Sequence, residues 1–152
     1  MPLIVAYQAS HFEGIRLLWR QAFPSTPPND AAQLSFPANL SMQPDLFLVA
    51  IDQDMVVGSV VASMIAGYDG HRGWLYAVAV LQSHQRQGIA TALVREAENR
   101  LIAMGCKKIN LHVRQSDDPV IKFYQSLGYE VEENVSMGVL ESSGMHCASR
   151  SA

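Results

Sequence analysis

The chain has 152 residues, of which 49% are apolar and 16% charged, with 11 basic and 14 acidic side chains giving a formal charge of -3 at pH 7. That length suits one ordinary domain and that apolar fraction supplies a core, so one domain over residues 1–152 is expected and intrinsic disorder is excluded. The acidic balance excludes the broad basic surface that sequence-independent nucleic-acid binding requires.

The longest mainly apolar stretch, Met55 to Tyr68, is interrupted by Gly58, Ser59, Ser63 and Gly67 and falls short of the ~20 residues of a membrane span. The opening MPLIVAYQAS carries neither a basic leader region nor a cleavage signal, so a cytoplasmic protein is expected. Cys106 and Cys147 form no CxxC pair or Cys/His array, which predicts reduced thiols, a packed Cys106 and no metal.

In chain order, Leu3–Tyr7 predicts a first strand. Ser10, with Glu13 three residues on, predicts the cap of a helix over His11–Phe23. Phe12, Ile15, Leu18, Trp19 and Phe23 share its buried face, and Pro24, Pro27 and Pro28 stop it. Asp30 to Gln43 reads as a short or broken helix interrupted by Pro37. Leu46–Ile51 and Met55–Met64, joined by Asp52-Gln53-Asp54, predict a hairpin. The turn GYDGHRG, residues 67–73, leads to a strand over Trp74–Leu81.

The polar segment Gln82–Gln87 then breaks the apolar run, and Gly88 opens a long helix with Ile89, Ala90, Leu93, Val94, Ala97, Leu101 and Met104 on one arc and Gly105 as its stop. Lys108–Val113 alternates as a strand, with Asn110, His112 and Arg114 on its wet face. Asp117 or Asp118 caps a helix with Pro119 in its first turn, Val120, Phe123, Tyr124 and Leu127 at helical spacing, and Gly128 as its end. Tyr129–Glu133 and Val135–Leu140 predict a terminal hairpin through Asn134, and residues 142–152 a frayed tail.

The chemistry is concentrated in VAVLQSHQRQGIATAL, residues 78–93. A strand running through a polar loop into a helix N-terminus presents unpaired backbone N–H groups, which the helix dipole reinforces, and Gly88 with the small Ala90 lets a diphosphate approach them. Thr91 adds a hydroxyl. The spacing is neither that of a Walker A loop nor that of GxGxxG.

Gln85, Gly88 and Ala90 match Q/R-x-x-G-x-G/A, and the segment resembles motif A of the GNAT family of acetyl-CoA-dependent N-acetyltransferases. Downstream, VRQSDDPVIKFYQSLGYE resembles the family segment in which a helix bears a Tyr and ends in Gly-Phe/Tyr, here Tyr124 and Gly128-Tyr129. The resemblance runs from about Leu3 to Leu140, and GYDGHRG with motif A is similar to the YpeA-like group of small bacterial members. Two positions depart from the family pattern: Arg86 stands where a small residue is usual, able to reach a CoA phosphate or to crowd the loop, and Asp117 stands in place of the usual Asn.

The resemblance implies a mixed, mostly antiparallel α/β sheet, V-splayed between the strands 74–81 and 108–113 and flanked by helices. Pantetheine would lie in that opening against main-chain groups of Val78, Ala79 and Val80. The cofactor phosphates would meet Gln85, Arg86, Gln87, Gly88, Ile89, Ala90 and Thr91, with Asp117 nearby. Tyr124 takes the general-acid position, and His112, or a water in its place, the position of general base. At pH 7 an α-amine of pKa about 7.8 is roughly 10–15% neutral and a lysine below roughly 0.1%, so a histidine base suits an α-amine or another weakly basic amine.

The implied reaction is acetyl transfer from acetyl-CoA to a primary amine, of a small molecule or a peptide N-terminus, by direct attack in a ternary complex. The alternative is a non-catalytic acyl-CoA sensor. Expected partners are acetyl-CoA and the amine acceptor, with a homodimer allowed and neither nucleic acid nor membrane.

Overall fold

The computed structural model describes residues 1–24, 43–55 and 59–139, which fall into two units, Met1–Arg114 and Gln115–Ala152. In the first, β1 (Leu3–Ala6), β2 (Phe47–Asp52), β3 (Ser59–Tyr68), β4 (Gly73–Val80) and β5 (Ile109–Leu111) form one sheet in that order. The first three pairings are antiparallel and the last is parallel. Helices α1 (Phe12–Ala22) and α2 (Ile89–Ala103) flank it. Pairing of β4 with β5 covers Gly73–Leu75 against Ile109–Leu111 and stops, so the remainder of β4 runs on past the point where the two strands part. This is the mixed, mostly antiparallel, splayed sheet expected from the sequence.

Apolar periodicity places the two helices. Ile15, Leu18 and Trp19 of α1 are buried against Phe47, Val49, Ile51, Val60 and Ile65, and each such side chain contributes about 1.5–3 kcal/mol by leaving water. The Trp19 indole N–H needs a partner there and donates to the fully buried Ser63 Oγ at 2.8 Å. Helix α2 turns Ile89, Leu93, Val94, Ala97 and Leu101 inward and packs on β2, β3 and β4. At its C-terminal end a Cβ on Gly73 would stand 2.9 Å from Cys106 Sγ and 3.0 Å from Leu101 Cδ1, so the start of β4 approaches α2 this closely only as glycine. Cys106 is buried and unbridged.

The second unit holds α3 (Asp118–Ser126). Asp117 caps it by accepting the Val120 N–H at 3.4 Å, and Pro119 occupies the first turn. Tyr124 is buried, with its ring edge-on to Phe123 and Tyr129 at centroid distances of 5.0 and 5.6 Å.

Several local expectations are corrected. Ser10 does not cap α1; a 3-10 turn over Ala9–His11 precedes it, and Gln8 and His11 form the reciprocal box, with the Gln8 N–H donating to His11 Nδ1 at 3.0 Å. Glu13 instead pairs with Arg16. Phe12 and Met104 are exposed, because both sit at helix ends where the apolar arc has left the sheet. Strand β3 extends to Tyr68, into the segment read as a turn, because the Gln43 amide clasps the Tyr68 main chain, donating to its O at 3.0 Å and accepting its N–H at 2.8 Å.

The terminal hairpin is absent among the described residues: 129–139 holds no strand, and Val131, Val135 and Met137 stand exposed. A two-stranded ribbon with no face to bury is marginal in water. Of the broken helix expected over Asp30–Gln43, all but Gln43 lies outside the described residues, as do residues 56–58 of the second hairpin strand, residues 142–152 and Cys147.

Candidate active site

The site is built around β4 and the loop that leaves it. The Gly73 N–H donates to Lys108 O at 2.9 Å, so at the start of β4 the odd-numbered residues turn their main chain toward β5. Further along, Leu81 N–H donates to Val61 O at 2.8 Å, and the odd residues now face β3. The inversion comes from a β-bulge. Ser63 pairs with Ala79 and Ile65 with Tyr76, so Met64 opposes both Ala77 and Val78, and Ala77 takes a left-handed φ of +54°. By alternation, the main-chain groups of Val78 and Val80 point to the edge beyond the last β5 pair, whereas Ala79 turns its main chain to β3 and its methyl into the core.

After β4, the 3-10 turn Gln82–His84 is fastened to α1 by Gln82 N–H donating to Gln21 Oε1 at 3.1 Å. Gln85 reaches back to donate its side-chain N–H to Val80 O at 3.3 Å, and Gln87 does the same to Ser83 O at 3.4 Å. Gly88, at φ +81°, is the N-cap of α2, and Arg86 holds φ +61°. That left-handed value is why a small residue, above all glycine, is the comfortable choice there; an arginine occupies it at a cost of about 1–2 kcal/mol.

The first main-chain bond of α2 runs from Ala92 N–H to Gly88 O at 3.0 Å. Before it, none of the N–H groups from Arg86 to Thr91 donates to an acceptor among the described residues. Six successive donors thus stand at the positive end of a 15-residue helix, where the helix dipole favours negative charge. Loop residues Gln85–Gly88 are exposed, Ile89 is buried in the core, and Ala90 and Thr91 lie between.

On the face of the sheet that carries α1, Trp74 pairs with Asn110, and its ring meets His112 edge-on at 5.4 Å. His112 is exposed at the end of β5. Asp69 is a turn residue: its carboxylate accepts the His71 and Arg72 N–H groups at 2.8 and 2.7 Å and the Trp74 indole at 3.4 Å, and the two backbone bonds hold its pKa below the usual carboxylate value. Tyr124 and Asp117 belong to the second unit. Burial pushes the Tyr124 phenol up to about 12, so it stays protonated across the neutral range. Among the described residues no three His, Cys, Asp or Glu side chains gather as metal ligands would, and no helix is long and apolar enough to cross a membrane.

Sequence comparison decides the family. The pattern of the Acetyltransferase (GNAT) family matches residues 12–129, and an acetyltransferase of Yersinia enterocolitica is 39% identical over 135 residues, covering 89% of this chain and 92% of that protein. The chain belongs to the GNAT family. It is thereby an acetyl-CoA-dependent acyltransferase. Solved GNAT proteins share the fold: the NatC complex bound to Gag peptide and CoA superposes with a TM-score of 0.73 at 19% identity over 82% of both chains. The aminoglycoside acetyltransferase AAC(6')-Iy with a bisubstrate analogue gives 0.70 at 22% identity over 93% of this chain and 99% of that one.

Sequence reasoning missed the Ala77 bulge and the Gln21 anchor. The run Ala77-Val78-Ala79-Val80 is small and apolar in both phases, so no alternation marks the inserted residue, and a bond between residues 61 apart leaves no local trace.

Proposed function

We propose that this GNAT protein transfers the acetyl group of acetyl-CoA directly to a primary amine, of a small molecule or a peptide N-terminus, in a ternary complex. The observation that carries the reading is the uninterrupted run of N–H donors from Arg86 to Thr91 with no acceptor among the described residues, directly downstream of the β4 edge at Val78 and Val80. There the Gln85 side chain occupies Val80 O at 3.3 Å and would share it or give way to the cofactor. The array would take the diphosphate, Arg86 adding its cation and Thr91 its hydroxyl. The edge would pair with the pantetheine amides as a strand does, which aligns the thioester along the opening.

The neutral amine attacks the thioester carbonyl, a C–N bond forms, the C–S bond breaks, and one amine proton leaves to His112. Tyr124 serves the departing sulfur. Full proton transfer from a phenol at about 12 to a thiolate of pKa about 8.5 runs uphill by about 5 kcal/mol. Tyr124 therefore acts by donating a hydrogen bond to the developing thiolate, which takes its proton after leaving.

Calorimetry with CoA tests the first half, and an acetyl-CoA consumption screen across small amines and N-terminal peptides tests the second. Both acceptor classes belong in the screen because the fold's solved relatives include a peptide-bound complex and an aminoglycoside enzyme. Tyr124→Phe and His112→Ala are expected to keep CoA binding and lose turnover at least tenfold. Saturable CoA binding with no turnover on any amine would make the chain an acyl-CoA sensor, and no CoA binding would end the proposal.

A further inference from the structure

Asp52 closes β2 and His84 sits in the loop after β4, 32 residues apart in sequence, yet His84 Nε2 lies 2.9 Å from Asp52 Oδ2. The other ring nitrogen, Nδ1, lies 2.8 Å from Ser83 Oγ. One arrangement satisfies all three groups: Nε2–H donates to the carboxylate and the Ser83 hydroxyl donates to Nδ1. The side chains are only 13% and 22% exposed, so water screens the contact less than it does a surface pair. The His84 ring, followed by the Asp54 N–H at 3.0 Å, holds the Asp52 carboxyl below its ordinary pKa. His84 immediately precedes the segment that turns through Arg86 and Gly88 into α2. Gln21 fastens the loop two residues earlier, at Gln82, and the Gln87 side chain returns to Ser83 O.

From Arg86 to Thr91 no main-chain N–H is spent on an acceptor among the described residues, so these donors do little to hold the loop, and two of its residues sit in the left-handed region. Its shape depends on side chains anchored elsewhere. We propose that Asp52 and His84 are a positioning pair for the cofactor loop: the carboxylate at the end of β2 locks the His84 ring and so holds the Arg86–Thr91 amides in the arrangement that grips a diphosphate. The proposal rests on the CoA reading above. Holding the donors in place beforehand spares the ordering that binding would otherwise require.

The sign of the effect separates this role from simple electrostatics. Asp52 carries negative charge behind an anion site, so by Coulomb's law alone its removal should tighten CoA binding; as a positioning residue, its removal should loosen it. Calorimetry of the full chain with CoA, and with pantetheine, which lacks the diphosphate, reads the difference. Asp52→Ala is expected to raise the Kd for CoA about tenfold, the scale of one charge-assisted hydrogen bond, with the pantetheine Kd within about twofold of wild type. Asp52→Asn keeps an oxygen for the ring N–H and is expected to recover most of the loss. His84→Ala cuts the same link from the loop side, should weaken CoA similarly, and carries the test if the Asp52→Ala variant does not fold.

Unchanged or tighter CoA binding in Asp52→Ala, or equal weakening for pantetheine, overturns the proposal and leaves the CoA reading standing. A wild-type chain that does not bind CoA removes both.

Discussion

Gly88→Ala separates the proposed anion array from the stability of the protein around it. At φ +81° an alanine is strained by about 1–2 kcal/mol. Its methyl would meet nothing closer than Met1 Cε at 3.9 Å, so packing adds no penalty. Gly105, beyond the other end of α2, is a matched control, with φ +96° and nothing within 4 Å of an added Cβ. Both variants should melt a few degrees lower, at about 2–4 °C per kcal/mol for a chain of this size, and by similar amounts. Their ligand responses should separate. In Gly88→Ala the methyl stands among the N–H donors, and relief of the strain toward negative φ would turn the loop amides away, so CoA binding measured by calorimetry should weaken at least tenfold. Gly105→Ala should bind CoA as wild type does. The reasoning is refuted if Gly88→Ala loses the same stability and keeps full affinity, or if the two variants lose affinity together.

Ser63→Ala should cost about 1–3 kcal/mol in urea unfolding, because it strips the buried Trp19 indole N–H of its acceptor; adding Trp19→Phe should recover part of that loss, and strict additivity of the two would count against the bond. The raised phenol of Tyr124 makes a signed prediction in alkali. Its folded pKa, about 12, exceeds the ordinary 10.0, so its contribution is whole below pH 10 and is lost as pH climbs toward 12, on the order of 2–3 kcal/mol. Burial raises Tyr7 as well, so phenolate absorbance should show a late-titrating component that shrinks by one tyrosine in Tyr124→Phe; an alkaline titration that Tyr124→Phe leaves unchanged at its late end would contradict the burial argument.

The elements that were legible in the sequence are those with one strong period. Helix α2 shows it best, since Ile89, Leu93, Val94, Ala97 and Leu101 repeat at helical spacing and all five are buried. The Asp117 cap and the donor run before Ala92 were legible for the same reason: Asp-x-Pro and loop-Gly-helix are local grammar. What stayed hidden was set by distant partners. The Gln43 clasp that prolongs β3 and the Asp52–His84 contact each join residues more than 20 apart. Arg86 stood out as a large residue at a place where a small one is usual, but its left-handed backbone was not legible, because that conformation is normally announced by glycine. Residues 129–139 misled in the opposite way, offering apolar residues at strand spacing that their own unit leaves exposed.

The extra residue at Ala77 makes β4 two half-strands of opposite phase. Cutting one residue from that point would turn the far half over, hiding the backbone of Val78 and Val80 against β3 and presenting that of Ala79 in their place. A deletion of a single methyl-bearing residue, with no charge, aromatic ring or reactive group lost, would thus move the ladder proposed to meet pantetheine by one rung while leaving the hydrophobic composition of the strand almost as it was.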